Sequence, residues 1–118
     1  MKKIILYSYL KCSTCRKAAK WLTGRGLEFQ LIDIVKEPPL FNYLNLAIEQ
    51  YSDDKNRIFN TRSKAFKLLN LDIYCLSRRE IIQLLLSDGK LIKRPFLIYE
   101  GEKVILGFNE IEYAKKII

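Results

Sequence analysis

The chain has 118 residues, 49% of them hydrophobic and 29% charged, which fits one globular domain and excludes the disordered and fibrous classes. Its 21 Lys and Arg stand against 13 Asp and Glu, with no His, for a formal net charge of +8; that balance favours a polyanionic or acidic partner, and the missing His excludes Ser-His and Cys-His catalytic pairs and His-ligated metals. Apolar runs such as Ile4-Ile5-Leu6-Tyr7 and Ile81-Ile82-Gln83-Leu84-Leu85-Leu86 fall far short of the roughly 20 residues that a membrane span needs.

In chain order, Met1–Leu10 starts basic, and its apolar stretch meets Lys11 and a cysteine, not a small-residue cleavage site. It reads as a first strand, Ile4–Tyr7, and not as a signal peptide. A helix is predicted over Ser13–Thr23, with Cys15, Ala18, Ala19 and Leu22 at helical spacing and Gly24 and Gly26 as its stop. Leu27–Ile34 is a second strand, so the first two strands form a parallel βαβ unit with a right-handed crossover. Pro38-Pro39 breaks the chain. A helical region over 40–88 follows, with a stripe of Leu40, Tyr43, Leu44, Ala47 and Ile48 and a short helix over 62–69. Ser77-Arg78-Arg79-Glu80 matches a capping box, placing a third helix from near Arg78 to Ser87-Asp88-Gly89. Phe96–Tyr99 and Val104–Leu106 flank Glu100-Gly101-Glu102-Lys103 as an antiparallel hairpin. Asn109, with Glu112 three residues on, caps a last helix whose inner face is Ile111, Ala114 and Ile118. This order predicts an α/β fold: a thioredoxin-like four-stranded mixed sheet with helices on both faces, its core in 1–37 and 91–118 and a helical insert in 38–90.

Three cysteines, Cys12, Cys15 and Cys75, are too few and odd in number for a secreted disulfide scaffold. They would give zinc three thiolates where a closed structural site wants four. A cytoplasmic redox pair is the better reading, with no metal and no cofactor. Lys11-Cys12-Ser13-Thr14-Cys15-Arg16-Lys17 puts Cys12 at a helix N-terminus, where orphan N–H groups and the dipole favour an anion. Lys11, Arg16 and Lys17 add positive charge, so the Cys12 pKa is expected to fall. Cys15, on the apolar stripe, suits a resolving thiol; the competing reading is two small core residues. Cys75 has no motif around it and reads as structural. In Lys93-Arg94-Pro95, Arg94 is either a surface residue or a cation for the Cys12 thiolate or a bound oxyanion, and a cis Pro95 would set this loop beside the cysteines. Lys55, Arg57, Arg62, Lys64 and Lys67 lie in an acid-free stretch over 55–71. It is either a solvated face or a contact for an acidic protein surface or the DNA backbone; without interleaved aromatics it does not read bases by itself.

Cys-Ser-Thr-Cys-Arg-Lys-Ala at 12–18 with Trp21-Leu22, Glu37-Pro38-Pro39, Asn60-Thr61-Arg62-Ser63-Lys64-Ala65-Phe66, Leu91-Ile92-Lys93-Arg94-Pro95 and Gly107-Phe108-Asn109-Glu110 resemble the arsenate reductase and Spx family along essentially the whole chain. The resemblance implies a thioredoxin-like core with a helical insert. For the arsenate reductase branch it implies a nucleophile at Cys12, an oxyanion held by three Arg, and glutaredoxin or thioredoxin as reductant. Only Arg94 matches that set, since Asn60 and Gly107 fall at the other two Arg positions. Thr61-Arg62-Ser63-Lys64 with Phe66 and the Gly107 segment resemble the Spx and MgsR type of regulators. That branch implies a Cys12–Cys15 disulfide switch and, as partner, the C-terminal domain of the RNA polymerase α subunit. Arg62, Lys64 and Asp54 would then lie at the partner surface, with Asp54 standing where such regulators carry Gly. Lys11, Arg16 and Pro95 support the thiol site.

Overall fold

The computed structural model describes residues 3–118, so Met1 and Lys2, at the start of the expected 1–37 core, lie outside the described residues. The first strand, β1 (Ile4–Ser8), alternates between two apolar clusters: Ile5 and Tyr7 enter one, Ile4 and Leu6 the other. A strand buried on both faces belongs at the centre of a sheet covered on both sides. β1 pairs in parallel with β2 (Gln30–Asp33), setting Leu6 opposite Leu31, and antiparallel with β3 (Phe96–Tyr99). β4 (Lys103–Leu106) pairs antiparallel with β3, and the order is β2-β1-β3-β4.

Helix α1 (Ser13–Gly24) buries Cys15, Ala18 and Leu22. Ala18 and Leu22 pack with Tyr113 and Ile117 of α5 (Glu110–Ile117) on one face of the sheet. The other face is covered from the segment between β2 and β3, by Leu44, Ala47 and Ile48 of α2 (Phe41–Gln50) and Ile81, Ile82 and Leu85 of α4 (Arg78–Ser87). This is the expected four-stranded mixed sheet with helices on both faces. Ser77 Oγ accepts the Glu80 amide at 3.1 Å and Glu80 Oε1 accepts the Ser77 amide at 2.9 Å, completing the capping box.

Four expectations change. The second strand is shorter than Leu27–Ile34. Only Gln30–Asp33 pair with β1, while Leu27 and Phe29 pack against the α1–α5 cluster and Ile34 turns into the opposite core. Leu40 precedes α2 as its exposed N-cap residue, outside the buried stripe. The helix expected over 62–69 starts at Lys64 (α3, Lys64–Leu69), because Ser63 Oγ accepts the Phe66 amide at 3.0 Å. The inner face of α5 is Tyr113 and Ile117, whereas Ile111 is 69% and Ile118 64% exposed. Tyr113 sets this phase: its hydroxyl donates to the Gly107 carbonyl at 2.9 Å and its ring meets Phe108 and Trp21 edge-on at 4.8 and 5.7 Å.

The two sheet edges differ. The Gln50 side chain bonds both the amide and the carbonyl of Val104, at 2.8 and 3.3 Å, and the Tyr51 hydroxyl accepts the Leu106 amide at 3.3 Å. The end of α2 therefore seals the outer side of β4. Among the described residues β2 pairs with β1 alone.

Candidate functional site

The chain leaves β1 through Tyr9-Leu10-Lys11 and turns back, with the Cys12 amide donating to the Tyr9 carbonyl at 2.9 Å. Cys12 is the N-cap of α1, in extended conformation, and its Sγ accepts the Cys15 amide at 3.3 Å. It fills the place that Ser or Asp usually holds, and a thiolate is the stronger acceptor there. Cys12 is half-buried and Cys15 fully buried, both as free thiols.

The two thiols are driven apart in acidity. Burial is the largest single influence on Cys12 and pushes it up. The Cys15 thiol and amide together with the Arg94 guanidinium outweigh it, and Cys12 is held below the ordinary thiol value. Cys15 is pushed up to about 12, first by burial and then by its bond to Cys12, with Tyr9 backbone and Ser8 side chain offsetting part of the rise. One thiol is thus prepared to ionise while its neighbour keeps a proton.

Arg94 arrives from the opposite side of the chain. Bonds from the Asn60 amide to the Leu91 carbonyl and from the Lys93 amide to the Ile58 carbonyl, both 2.8 Å, anchor the segment that leads to it. The Arg94-Pro95 peptide is cis. The guanidinium lies 4.9 Å from the centroid of the Tyr9 ring, a cation–π contact, and its buried Nη1 has no hydrogen-bond partner among the described residues. Tyr9 therefore touches the site twice, through its carbonyl at Cys12 and its ring at Arg94. Sequence reasoning missed it, and the only signal was an aromatic three residues before the first cysteine.

The other expected residues stand as follows. Arg16 donates Nη1 to the Leu10 carbonyl at 2.6 Å, so it fastens the loop. Lys11 is exposed, and of the cations it is Arg94 that acts on the Cys12 thiol. Cys75 is exposed, and its Sγ donates to Asp72 Oδ2 at 3.4 Å, which pushes that thiol up and away from reactivity. Arg62 and Lys64 are exposed beside the start of α3, and exposed Asp54 accepts the Tyr74 hydroxyl at 3.4 Å. Gly107 has φ +77°. Among the described residues no group of three His, Cys, Asp or Glu is placed to hold a metal ion, and no helix is long and apolar enough to cross a membrane.

The ArsC family model matches residues 7–116. The uncharacterized protein YusI of Bacillus subtilis is 43% identical, over 95% of this chain and 96% of its own length. The global transcriptional regulator Spx of Lactiplantibacillus plantarum is 34% identical, over 95% of this chain and 84% of its own. The crystal structure of a possible arsenate reductase from Streptococcus mutans superposes with a TM-score of 0.83 at 37% identity, covering 90% of this chain and 91% of that one.

Proposed function

The chain belongs to the ArsC family, and from that premise we propose that it is a cytoplasmic thiol switch that regulates transcription through the C-terminal domain of the RNA polymerase α subunit. The observation that carries the redox part is the thiol pair itself: Cys12 Sγ on the N-terminus of α1, 3.3 Å from the Cys15 amide, with Arg94 beside it. The likeness to Spx supports the regulatory part.

The chemistry runs by thiol–disulfide exchange. The Cys12 thiolate attacks one sulfur of a small disulfide, forms a mixed disulfide and releases one thiolate. This removes the negative charge that helps keep Cys15 protonated. Cys15 then gives its proton to solvent, attacks Cys12 Sγ, closes the Cys12–Cys15 bond and releases the second thiolate. The pair loses two electrons and the small disulfide gains them. Closing that bond removes the Sγ acceptor that caps α1, so the start of the helix and the Arg94 loop change together. Arg62, Lys64 and Asp54 provide the partner surface.

The test is a binding isotherm of the α C-terminal domain against reduced and oxidised protein. A shift in affinity of about fivefold or more between the two states is expected for a switch. Absence of binding in both states overturns the regulatory reading.

The unpartnered, buried Nη1 of Arg94 favours a second reading: a reductase in which Cys12 attacks an oxyanion held by Arg94 and glutaredoxin or thioredoxin returns the electrons. Asn60 and Gly107 in place of two guanidiniums weigh against it. Turnover of arsenate coupled to glutaredoxin or thioredoxin would decide for this reading.

A further inference from the structure

Beside the cysteine pair, on its β2 side, lies a groove of about 390 Å³ whose lining includes Leu10, Cys15, Arg16, Ala19, Leu31 and Asp33. A volume in this range accommodates a ligand or a few anchoring side chains. Two of its walls are leucines that a folded chain would ordinarily cover: Leu10 is 81% and Leu31 58% exposed. Leu31 belongs to β2, the edge strand that has no further strand on its outer side among the described residues, whereas the outer side of β4 is filled by Gln50 and Tyr51. An open strand edge next to an apolar groove is the arrangement that accepts an added strand: backbone groups pair with the edge, and alternate side chains enter the groove.

The charge around the groove selects the occupant. Residues 1–27 contain no Asp or Glu. Arg16 lines the groove, and Lys20, one helical turn further along α1 and also exposed, follows it on the same side. The acids flanking the groove are Asp33 within it, exposed Glu37, whose amide donates to the Asp33 carbonyl at 2.9 Å, and exposed Glu28 two residues before β2 in the sequence. Asp33 Oδ1 is occupied by the Val35 and Lys36 amides at 2.9 and 3.1 Å. A second copy of the chain would bring another net charge of +8 against the same surface, which opposes pairing. We propose that this groove and the free edge of β2 dock an extended segment of a partner protein in which apolar residues alternate with acidic ones. The apolar side chains sit between Leu10 and Leu31 and the carboxylates face Arg16 and Lys20. The proposal stands apart from the redox reading: Cys15 lines the groove, but docking on the β2 edge requires no reaction of either thiol.

The test uses the full chain and a fluorescent seven-residue peptide of alternating leucine and aspartate, followed by polarisation and by backbone amide shifts. Binding is expected, with shifts at Gln30–Asp33 and at Arg16 and Ala19. A peptide with lysine for aspartate should bind at least about tenfold more weakly. Leu31→Asp and Arg16→Glu should each weaken the acidic peptide by about tenfold, while Leu68→Asp, at another exposed leucine, and Lys67→Glu, in the basic stretch, leave it unchanged. Should Leu31→Asp fail to fold, Leu10→Asp tests the same wall. Equal affinity for the lysine peptide, shifts confined to 55–71, or no binding overturns the proposal. So does a homodimer in sedimentation that Leu31→Asp dissociates, because the occupant is then a second copy.

Discussion

At Cys12 the Cys15 amide donates to the sulfur at 3.3 Å, and the neighbouring Cys15 thiol and Arg94 guanidinium lower its pKa further. Each favours the thiolate, so Cys12 should react with iodoacetamide at neutral pH faster than Cys15 or Cys75. Mass-resolved alkylation against pH checks this; first labelling at either other cysteine contradicts it. Arg94→Ala should slow Cys12 labelling and move its pH midpoint upward. Tyr9→Ala, which removes the ring under Arg94, should move the midpoint the same way, while Tyr9→Phe keeps the aromatic face and leaves it in place. Cys15 predicts a pH dependence of stability with a definite sign. Its pKa rises from near 9 to about 12 on folding, so the folded state holds a proton that the unfolded state gives up. That contribution is complete below about pH 9 and is lost as pH rises toward 12. Thermal melts from pH 8 to 11 should therefore fall more steeply in the native chain than in Cys15→Ser. Tyr113, also pushed up by burial, adds a decline of the same sign in both. Parallel curves for the two chains would contradict the assignment.

At the scale of the elements, helix ends and one turn carry separable contributions. The capping box at Ser77 satisfies two amides at the start of α4, so Ser77→Ala should cost about 1 kcal/mol in a urea unfolding curve, with an unchanged slope. Gly107 joins β4 to α5 at φ +77°, with its amide on the Pro95 carbonyl and its carbonyl on the Tyr113 hydroxyl. Placing an arginine there to rebuild an oxyanion clamp forces a side chain into the left-handed region. Gly107→Arg should lose about 1–2 kcal/mol in the same measurement; an unchanged midpoint would show that the turn relaxes freely. Gly89 illustrates a different constraint. A Cβ there would collide with the Ile34 carbonyl oxygen, so the turn after α4 passes under the end of β2 only because no side chain is present.

For the whole molecule the excess of 21 basic over 13 acidic residues makes self-repulsion a general term in stability. Raising salt from 10 to about 150 mM shortens the Debye length to about 8 Å and should raise the thermal midpoint. A fall would mean that attractive pairs dominate, although the three described salt bridges are all partly or largely exposed. The amino-acid sequence by itself determined the order of elements, the antiparallel hairpin, the place of Cys12 at the start of α1 and the capped starts of α4 and α5. These follow from local pattern: apolar runs, helical spacing, and capping groups within three residues of the amides they bind. It also picked out Cys12, Cys15 and Arg94, because a cysteine pair between a strand and a helix is a local motif. Tertiary structure alone decided what depends on approach from elsewhere in the chain. The phase of α5 was set by Tyr113 meeting Trp21 and Phe108, the start of β2 by Leu27 and Phe29 packing against the α1–α5 cluster, and the Tyr9–Arg94 contact by two loops 85 positions apart in the numbering. The cation that acts on Cys12 is Arg94 and not its neighbours Lys11 and Arg16, because screening by water leaves an exposed nearby charge weaker than a partly buried one delivered by the fold.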